Sequence, residues 1–257
     1  MRPFAEKLLE RAALEGTVHL AIDQTQACHG MQILMVSVCH KSRALPIAWI
    51  ANATEGGMGF ADQKYLLNLV EEYLPKEASV MLLGDRFYGT ADLISLCNKM
   101  GWDYRLRLRN NLKVSLGEES SSTGELAKSY DPFHPNVLLT GQSIPTNLAI
   151  IREAGHAEPW ILAMSQNPNF ENAHQYRKRW SIEAMFSDFK SRGFGLEGTQ
   201  LRYPDRLERL ILIMALSLLW SVVAGEHDAI SLPLPHEKKE EGNAFEALYP
   251  SLPEGYA

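Results

Sequence analysis

Two short apolar runs, each stopping on an aspartate, constrain this chain more than any other feature. Residues 17–22 (Thr-Val-His-Leu-Ala-Ile) run into Asp23, and residues 79–84 (Ser-Val-Met-Leu-Leu-Gly) run into Asp85. Runs this short and this apolar predict strands inside a sheet rather than at its rim. Two further strand patterns, 31–39 and 43–50, follow the first after a turn at Ala27-Cys28-His29-Gly30, so the chain opens as a three-stranded meander. The Gly56-Gly57-Met58-Gly59 loop lacks the Gly-Lys-Ser/Thr ending of a phosphate loop and reads as a flexible connector. Helical spacing then covers 62–74, closed by Pro75, and 90–100, with Thr90 as N-cap and Gly101 as stop. A crossover connection making the two Asp-ending strands parallel neighbours would bring both carboxylates to one edge of the sheet.

Residues 103–109 alternate strictly, Leu106 and Leu108 against Arg105, Arg107 and Arg109, which suits an edge strand wearing its arginines outward. Residues 110–170 change character. A polar, serine-rich loop (117–124) and short strand patterns at 137–139, 147–152 and 160–164 read as a small β-rich insertion. Leu210–Gly225 is uncharged over 16 residues, short of the roughly 20 that a spanning helix needs. It reads as a helix buried on all sides rather than a span, and no membrane partner is expected. The catalytic unit is expected over 15–225, and the acidic 226–257 as a loosely ordered tail.

The segment 176–190 adds a polar stripe. At 3.6 residues per turn Tyr176, Arg179, Glu183 and Lys190 fall within about 60° of one helix face. A phenol, a guanidinium, a carboxylate and an ammonium so aligned match a phosphodiester with a cation beside it. With Asp23 and Asp85, Glu183 would complete three carboxylates with room for two Mg²⁺ ions, which suits in-line displacement at phosphorus. Plainer readings exist for each part. Asp23 and Asp85 could close Asx turns or a local ion pair with Arg86, and Arg179–Glu183 could be an ordinary i,i+4 pair.

Net charge is −6, yet residues 226–257 hold seven acids and two bases, whereas 174–209 hold eight bases and five acids. A local basic surface on a near-neutral body is compatible with DNA contact. Three cysteines without CxxC spacing argue against structural zinc or a disulfide framework, and fit a reducing cytoplasm. No GxSxG or HExxH is present, which removes the main signatures of serine-hydrolase and zinc-peptidase chemistry.

These residues carry a family resemblance. The chain resembles the catalytic domain of DDE transposases of the insertion-sequence-4 type, whose third acidic residue lies in a Tyr-x2-Arg-x3-Glu-x6-Lys signature. Tyr176, Arg179, Glu183 and Lys190 match every spacing. Asp23 in Leu-Ala-Ile-Asp-Gln-Thr and Asp85 in Leu-Leu-Gly-Asp-Arg-Phe-Tyr-Gly match the other two acidic contexts. The resemblance implies an α/β, ribonuclease-H-like mixed sheet flanked by helices, with a β-rich insertion before the helix carrying the third acid. It implies that Asp23, Asp85 and Glu183 hold two Mg²⁺ or Mn²⁺ ions for cleavage at element ends and strand transfer, passing through a hairpin-ended intermediate. Tyr176, Arg179 and Lys190 would grip phosphates, and Arg105, Arg107 and Arg109 would extend the DNA track.

The implied partners are double-stranded DNA (terminal inverted repeats and target) and a second copy in a synaptic homodimer, in a bacterial cytoplasm. Family members usually carry an N-terminal helical DNA-binding region. Only about 16 residues precede the first strand here, so the chain is expected to be truncated. The alternative function is a non-mobilising fragment that binds and inhibits full-length transposase. A resolvase or ribonuclease H on the same fold is the further rival, disfavoured by the Tyr-Arg-Glu-Lys spacing.

Overall fold

The computed structural model describes residues 1–54, 56–139, 143–153 and 157–231. Helix α1 (Arg2–Leu14) precedes the meander of β1 (Val18–Gln26), β2 (Met31–His40) and β3 (Arg43–Ala53). Then come α2 (Phe60–Glu71), β4 (Val80–Gly84), α3 (Ala91–Met100) and β5 (Asp103–Arg107). The strands run in the order β3-β2-β1-β4-β5, with β1–β2 and β2–β3 antiparallel and β1–β4 and β4–β5 parallel. This is the ribonuclease-H-like mixed sheet expected from the sequence. Its central strands are apolar on both faces: Leu20, Ile22, Leu82 and Leu83 are fully buried.

The region after β5 departs from expectation. It contains β6 (Lys113–Leu116), β7 (Glu119–Ser122), the single-turn α4 (Thr123–Leu126), β8 (Phe133–Leu139), β9 (Ile144–Ile151) and β10 (Trp160–Met164). Strand β10 pairs antiparallel with β5, and the sheet continues β10-β9-β8-β6-β7, so one ten-stranded sheet spans the fold. The inserted strands extend the main sheet. Strand β5 is therefore interior to the sheet and not the edge strand expected. The serine-rich stretch read as loop forms β7 and a capping box at Ser122–Glu125, across a turn at Gly117 with φ +61°.

Helix boundaries were more legible. Thr90 Oγ1 accepts from Leu93 N at 3.3 Å, and Gly101 closes α3 at φ 69°. The Gly-rich connector is pinned rather than loose: Met58 is 1% exposed, its N–H donates to Gln24 Oε1 at 2.9 Å, and its carbonyl accepts from Gln63. Cys28, Cys39 and Cys97 are free thiols.

After β10 come α5 (Phe170–His174), a 3₁₀ turn over Gln175–Arg179, α6 (Trp180–Ser187), a π turn over Asp188–Arg192, and α7 (Pro204–Ser231). Helix α7 is not buried on all sides. Leu207, Ile211, Met214 and Leu218 are buried and the helix packs against β3, while Ile213, Trp220 and Val223 face outward. Residues 204–229 have the length and apolar composition of a bilayer crossing. Within the fold the helix is fixed to the sheet by polar contacts. Trp49 Nε1 donates to the Glu208 carbonyl at 3.1 Å, and Glu226 Oε1 lies 2.7 Å from both His40 Nε2 and Lys41 Nζ. The start of the acidic tail is thus helical as far as Ser231 and anchored at Glu226, and residues 232–257 lie outside the described residues.

Candidate active site

The parallel ladder between β1 and β4 ends with Ile22 opposite Gly84. Asp23 and Asp85 are the next residue on each strand, so both carboxylates emerge at the same edge. The neighbouring ladder ends with Gly84 opposite Leu106, which sets Arg107 beside Asp85 in the next row. The crossover reasoned from sequence puts these three residues in adjacent rows.

Each aspartate uses one oxygen locally. Asp23 Oδ1 accepts from Gln24 N at 2.8 Å, and Asp85 Oδ1 accepts from Phe87 N at 2.8 Å, an Asx turn. Arg86 pairs with Glu158 rather than with Asp85. Among the described residues no donor is bonded to Asp85 Oδ2. Asp23 Oδ2 meets only Arg179 Nη1 among the described residues, at 3.4 Å. Burial, and secondly the charge on Asp85, push the Asp23 carboxyl up to about 7, against the opposing pulls of the Gln24 amide and Arg179. The edge carries more negative charge than the protein itself balances.

The 3₁₀ turn and α6 pack over this edge and deliver Arg179 and Glu183. Arg179 is 7% exposed; Nη2 donates to Glu183 Oε1 while Nη1 faces Asp23. The guanidinium therefore stands between two of the three acids. Glu183 also adds to the upward push on Asp23, and its side chain is half exposed beside Arg179. As they stand, no three His, Cys, Asp or Glu side chains among the described residues are gathered closely enough to hold a metal ion. The chemistry of the donor set still suits a divalent cation: a partly desolvated Asp23, an Asp85 oxygen without a donor, and a half-exposed Glu183.

The helix pitch changes through the signature, so its four residues do not form one α-helical stripe. Tyr176 and Arg179 lie in the 3₁₀ turn, Glu183 in α6 and Lys190 in the π turn. Tyr176 is 1% exposed and packs against Trp160 and Trp180, with ring centroids at 5.5 and 6.2 Å. Its face supports Arg179, whose Cζ lies 5.7 Å from the ring centre. Burial pushes its phenol up to about 12. Tyr176 therefore backs Arg179 and is not placed to grip a phosphate itself. Lys190 Nζ pairs with Glu197 at 3.3 Å.

The arginine row separates into three environments. Arg105 is fully buried and donates to the carbonyls of Tyr104 and Asn172 and to Gln166 Oε1, at 2.7–2.8 Å; burial pushes it down to about 10. It pins β5 to the segment before α6, which corrects its assignment to a DNA track. Arg107 is half-buried at the site edge, and Arg109 is exposed. The Nε atoms of Arg107 and Arg179 are buried without a partner among the described residues.

One residue escaped the sequence reading. Tyr88, in the turn after Asp85, is fully buried with a hydroxyl that has no partner among the described residues. Its position three residues past an acidic strand end was the available signal.

Comparisons with known proteins complete the picture. No protein of curated function matches the chain in sequence. Among solved structures the fold is similar to Ciona intestinalis endonuclease V bound to a 24mer DNA containing an inosine followed by a ribo-adenosine. That likeness has 9% identity and a TM-score of 0.36, and covers 72% of this chain and 96% of that one. A variant of that endonuclease bound to a 23mer matches at 8% identity and a TM-score of 0.35, over 69% and 86% of the two chains. Residues 60–220, which include Asp85 and the whole Tyr-Arg-Glu-Lys segment, match the transposase DDE domain. That match takes in well over half of the sequence, and the chain belongs to the DDE transposase family.

Proposed function

We propose that this chain is the catalytic domain of a DNA transposase that hydrolyses a phosphodiester at element ends and joins the freed 3′-OH to target DNA, in a DNA-bound homodimer. The observation that carries the reading is the pair Asp23 and Asp85, one residue beyond the Ile22–Gly84 register pair, with Asp23 pushed up to about 7 by burial and by its neighbour. Such a pair is stabilised by a cation. Asp23 and Asp85 would hold divalent Mg²⁺ or Mn²⁺, one or two ions, with Glu183 joining as it leaves Arg179. A cation there would acidify a bound water and polarise the phosphoryl oxygens.

The chain's own residues supply the rest. Arg179, held from behind by Tyr176, orients Asp23 and sets a positive charge at the site edge, where it would stabilise charge developing on a phosphate. Arg107, half-buried in the neighbouring row, adds a second positive charge there. Lys190 and Arg109 are partly exposed and exposed, and serve DNA phosphates farther from the cut. The subtype within the family rests on the signature spacing at 176–190. Incubation of supercoiled plasmid carrying candidate ends with Mg²⁺, using wild type and Asp85→Asn, tests the assignment. Nicking by wild type alone supports it, and equal nicking by both removes it.

A further inference from the structure

Helix α7 buries one face and leaves the opposite face bare. Leu207, Ile211, Met214 and Leu218 enter the core, while Ile213, Trp220 and Val223 are 63%, 76% and 45% exposed. Leu216, half-buried, belongs to the same row. The spacing from Ile213 through Leu216 and Trp220 to Val223 is 3-4-3. It sets all four within about 80° of one helix face and spreads them over about 15 Å of its length. Two serines beside this row do not oppose its covering. Ser217 Oγ donates to the Ile213 carbonyl at 2.9 Å and Ser221 Oγ to the Ser217 carbonyl at 2.8 Å, so both hydroxyls are spent on the helix's own backbone.

The row is complementary to its own reversed copy. A 3-4-3 spacing reads the same in both directions. A two-fold axis midway between Leu216 and Trp220 therefore sets Ile213 level with the partner's Val223, and Leu216 level with the partner's Trp220. Opposite charges stand at the two ends of the row. The Arg209 and Asp228 side chains are 79% and 72% exposed, and the same axis brings each Arg209 level with the partner's Asp228. Within its own helix Arg209 reaches Asp205 at 3.6 Å, an exposed pair that is easily exchanged. Glu226 is turned inward to His40 and Lys41 and leaves Asp228 to set the charge of that end. Antiparallel helices also bring opposite macrodipole ends together. An unrelated partner would need only an apolar surface, whereas end charges that match under reversal are what an isologous contact requires.

We infer that the outer face of α7 is a self-association surface: two copies of this chain pair antiparallel through Ile213, Leu216, Trp220 and Val223, with Arg209 and Asp228 closing both ends. The inference deepens the homodimer of the proposed function and rests on that reading for its use, but the contact itself needs neither DNA nor metal. Trp220, the largest and most exposed side chain of the row, is its anchor.

Sedimentation equilibrium of the full chain across the micromolar range, without DNA or divalent metal, tests this. Wild type is expected to dimerise. Trp220→Glu and Ile213→Lys, both at exposed positions, should each raise the dimer dissociation constant by about 100-fold or more while keeping the wild-type circular dichroism. Arg209→Asp should raise it about tenfold, and adding Asp228→Arg to that variant should bring it back. Asp85→Asn should dimerise like wild type whatever its effect on nicking, so the catalytic reading and this surface fail separately. A wild type that stays monomeric overturns the proposal, and its flotation with phosphatidylcholine vesicles would then name lipid as the cover of the row. A dimer that Trp220→Glu and Ile213→Lys leave unchanged overturns the surface. A charge swap that does not restore the dimer overturns the antiparallel arrangement.

Discussion

Arg179 Nη1 lies 3.4 Å from Asp23 Oδ2, joining a helical turn to the sheet edge across 156 residues of sequence. The same guanidinium holds Glu183, so one side chain neutralises two acids that the proposed chemistry needs for a cation. Arg179 is thus the internal counter-ion of both acids. On the proposed reading, a cation bound there would take Glu183 over from Arg179.

The pH dependence of stability follows from Asp23 and His19, on the same face of β1. Asp23 is raised to about 7, so between about pH 4 and 7 the fold keeps a proton that the unfolded chain has lost, and stability falls as pH rises. His19 is pushed down to about 4 by burial and then by Lys178, whose Nζ lies 3.2 Å from Nε2. Between about 6.5 and 4 the unfolded chain takes up a proton that the fold refuses, and stability falls as pH falls. The two slopes oppose each other in wild type. Asp23→Asn in EDTA is expected to gain about 2 kcal/mol at pH 8 and to show a clear rise in stability from pH 4 to 6.5. Urea midpoints across pH 4–8 read this directly, and a flat profile in the variant contradicts it.

Arg105 and Arg109 differ in kind despite sharing one alternating row. Arg105→Ala strips four acceptors of a buried donor and is expected to cost about 3–5 kcal/mol, measured by urea unfolding. Arg109→Ala, at an exposed position, is expected to change stability by less than about 0.5 kcal/mol. Like Lys190→Ala, it should lower the salt slope of DNA binding by about one phosphate contact. A destabilised Arg109→Ala or a stable Arg105→Ala would reverse the assignment.

Gly89→Ala is expected to cost about 3 kcal/mol or more, because its Cβ would sit 2.0 Å from a backbone oxygen that cannot move without breaking β5. Gly117→Ala, at φ +61° with open space around it, should cost about 1 kcal/mol from backbone strain alone. Thermal midpoints of the pair give the comparison, and a smaller loss for Gly89→Ala would refute it.

The sheet edge was legible because burial and strand length are local properties: apolar runs ending in Asp23 and Asp85 can only be interior strands. Arg105 was misread because alternation reports which side chains share a face, not whether another strand covers that face. Its cover is the segment carrying Gln166, Asn172 and Gln175, which follows β5 by about 60 to 70 positions and takes up the guanidinium. Tyr176 was misread for a related reason. A helix wheel assumes constant pitch, whereas this segment passes from 3₁₀ to α to π and turns its first aromatic inward. The near-continuous apolar run after Leu210 reported burial without its extent, and left Trp220 outside. Tyr88 offered only its place three residues past the Asp85 strand end, and its burial shows only in the fold, through the close approach of Gly84 and Gly89.

The most direct measurement is a crystal structure grown with Mn²⁺, with the metal located by its anomalous signal. The account predicts a peak within about 2.5 Å of oxygens from both Asp23 and Asp85, with Glu183 turned away from Arg179. A peak elsewhere, or none at that edge at millimolar Mn²⁺ with the Arg179 bridge intact, would contradict it.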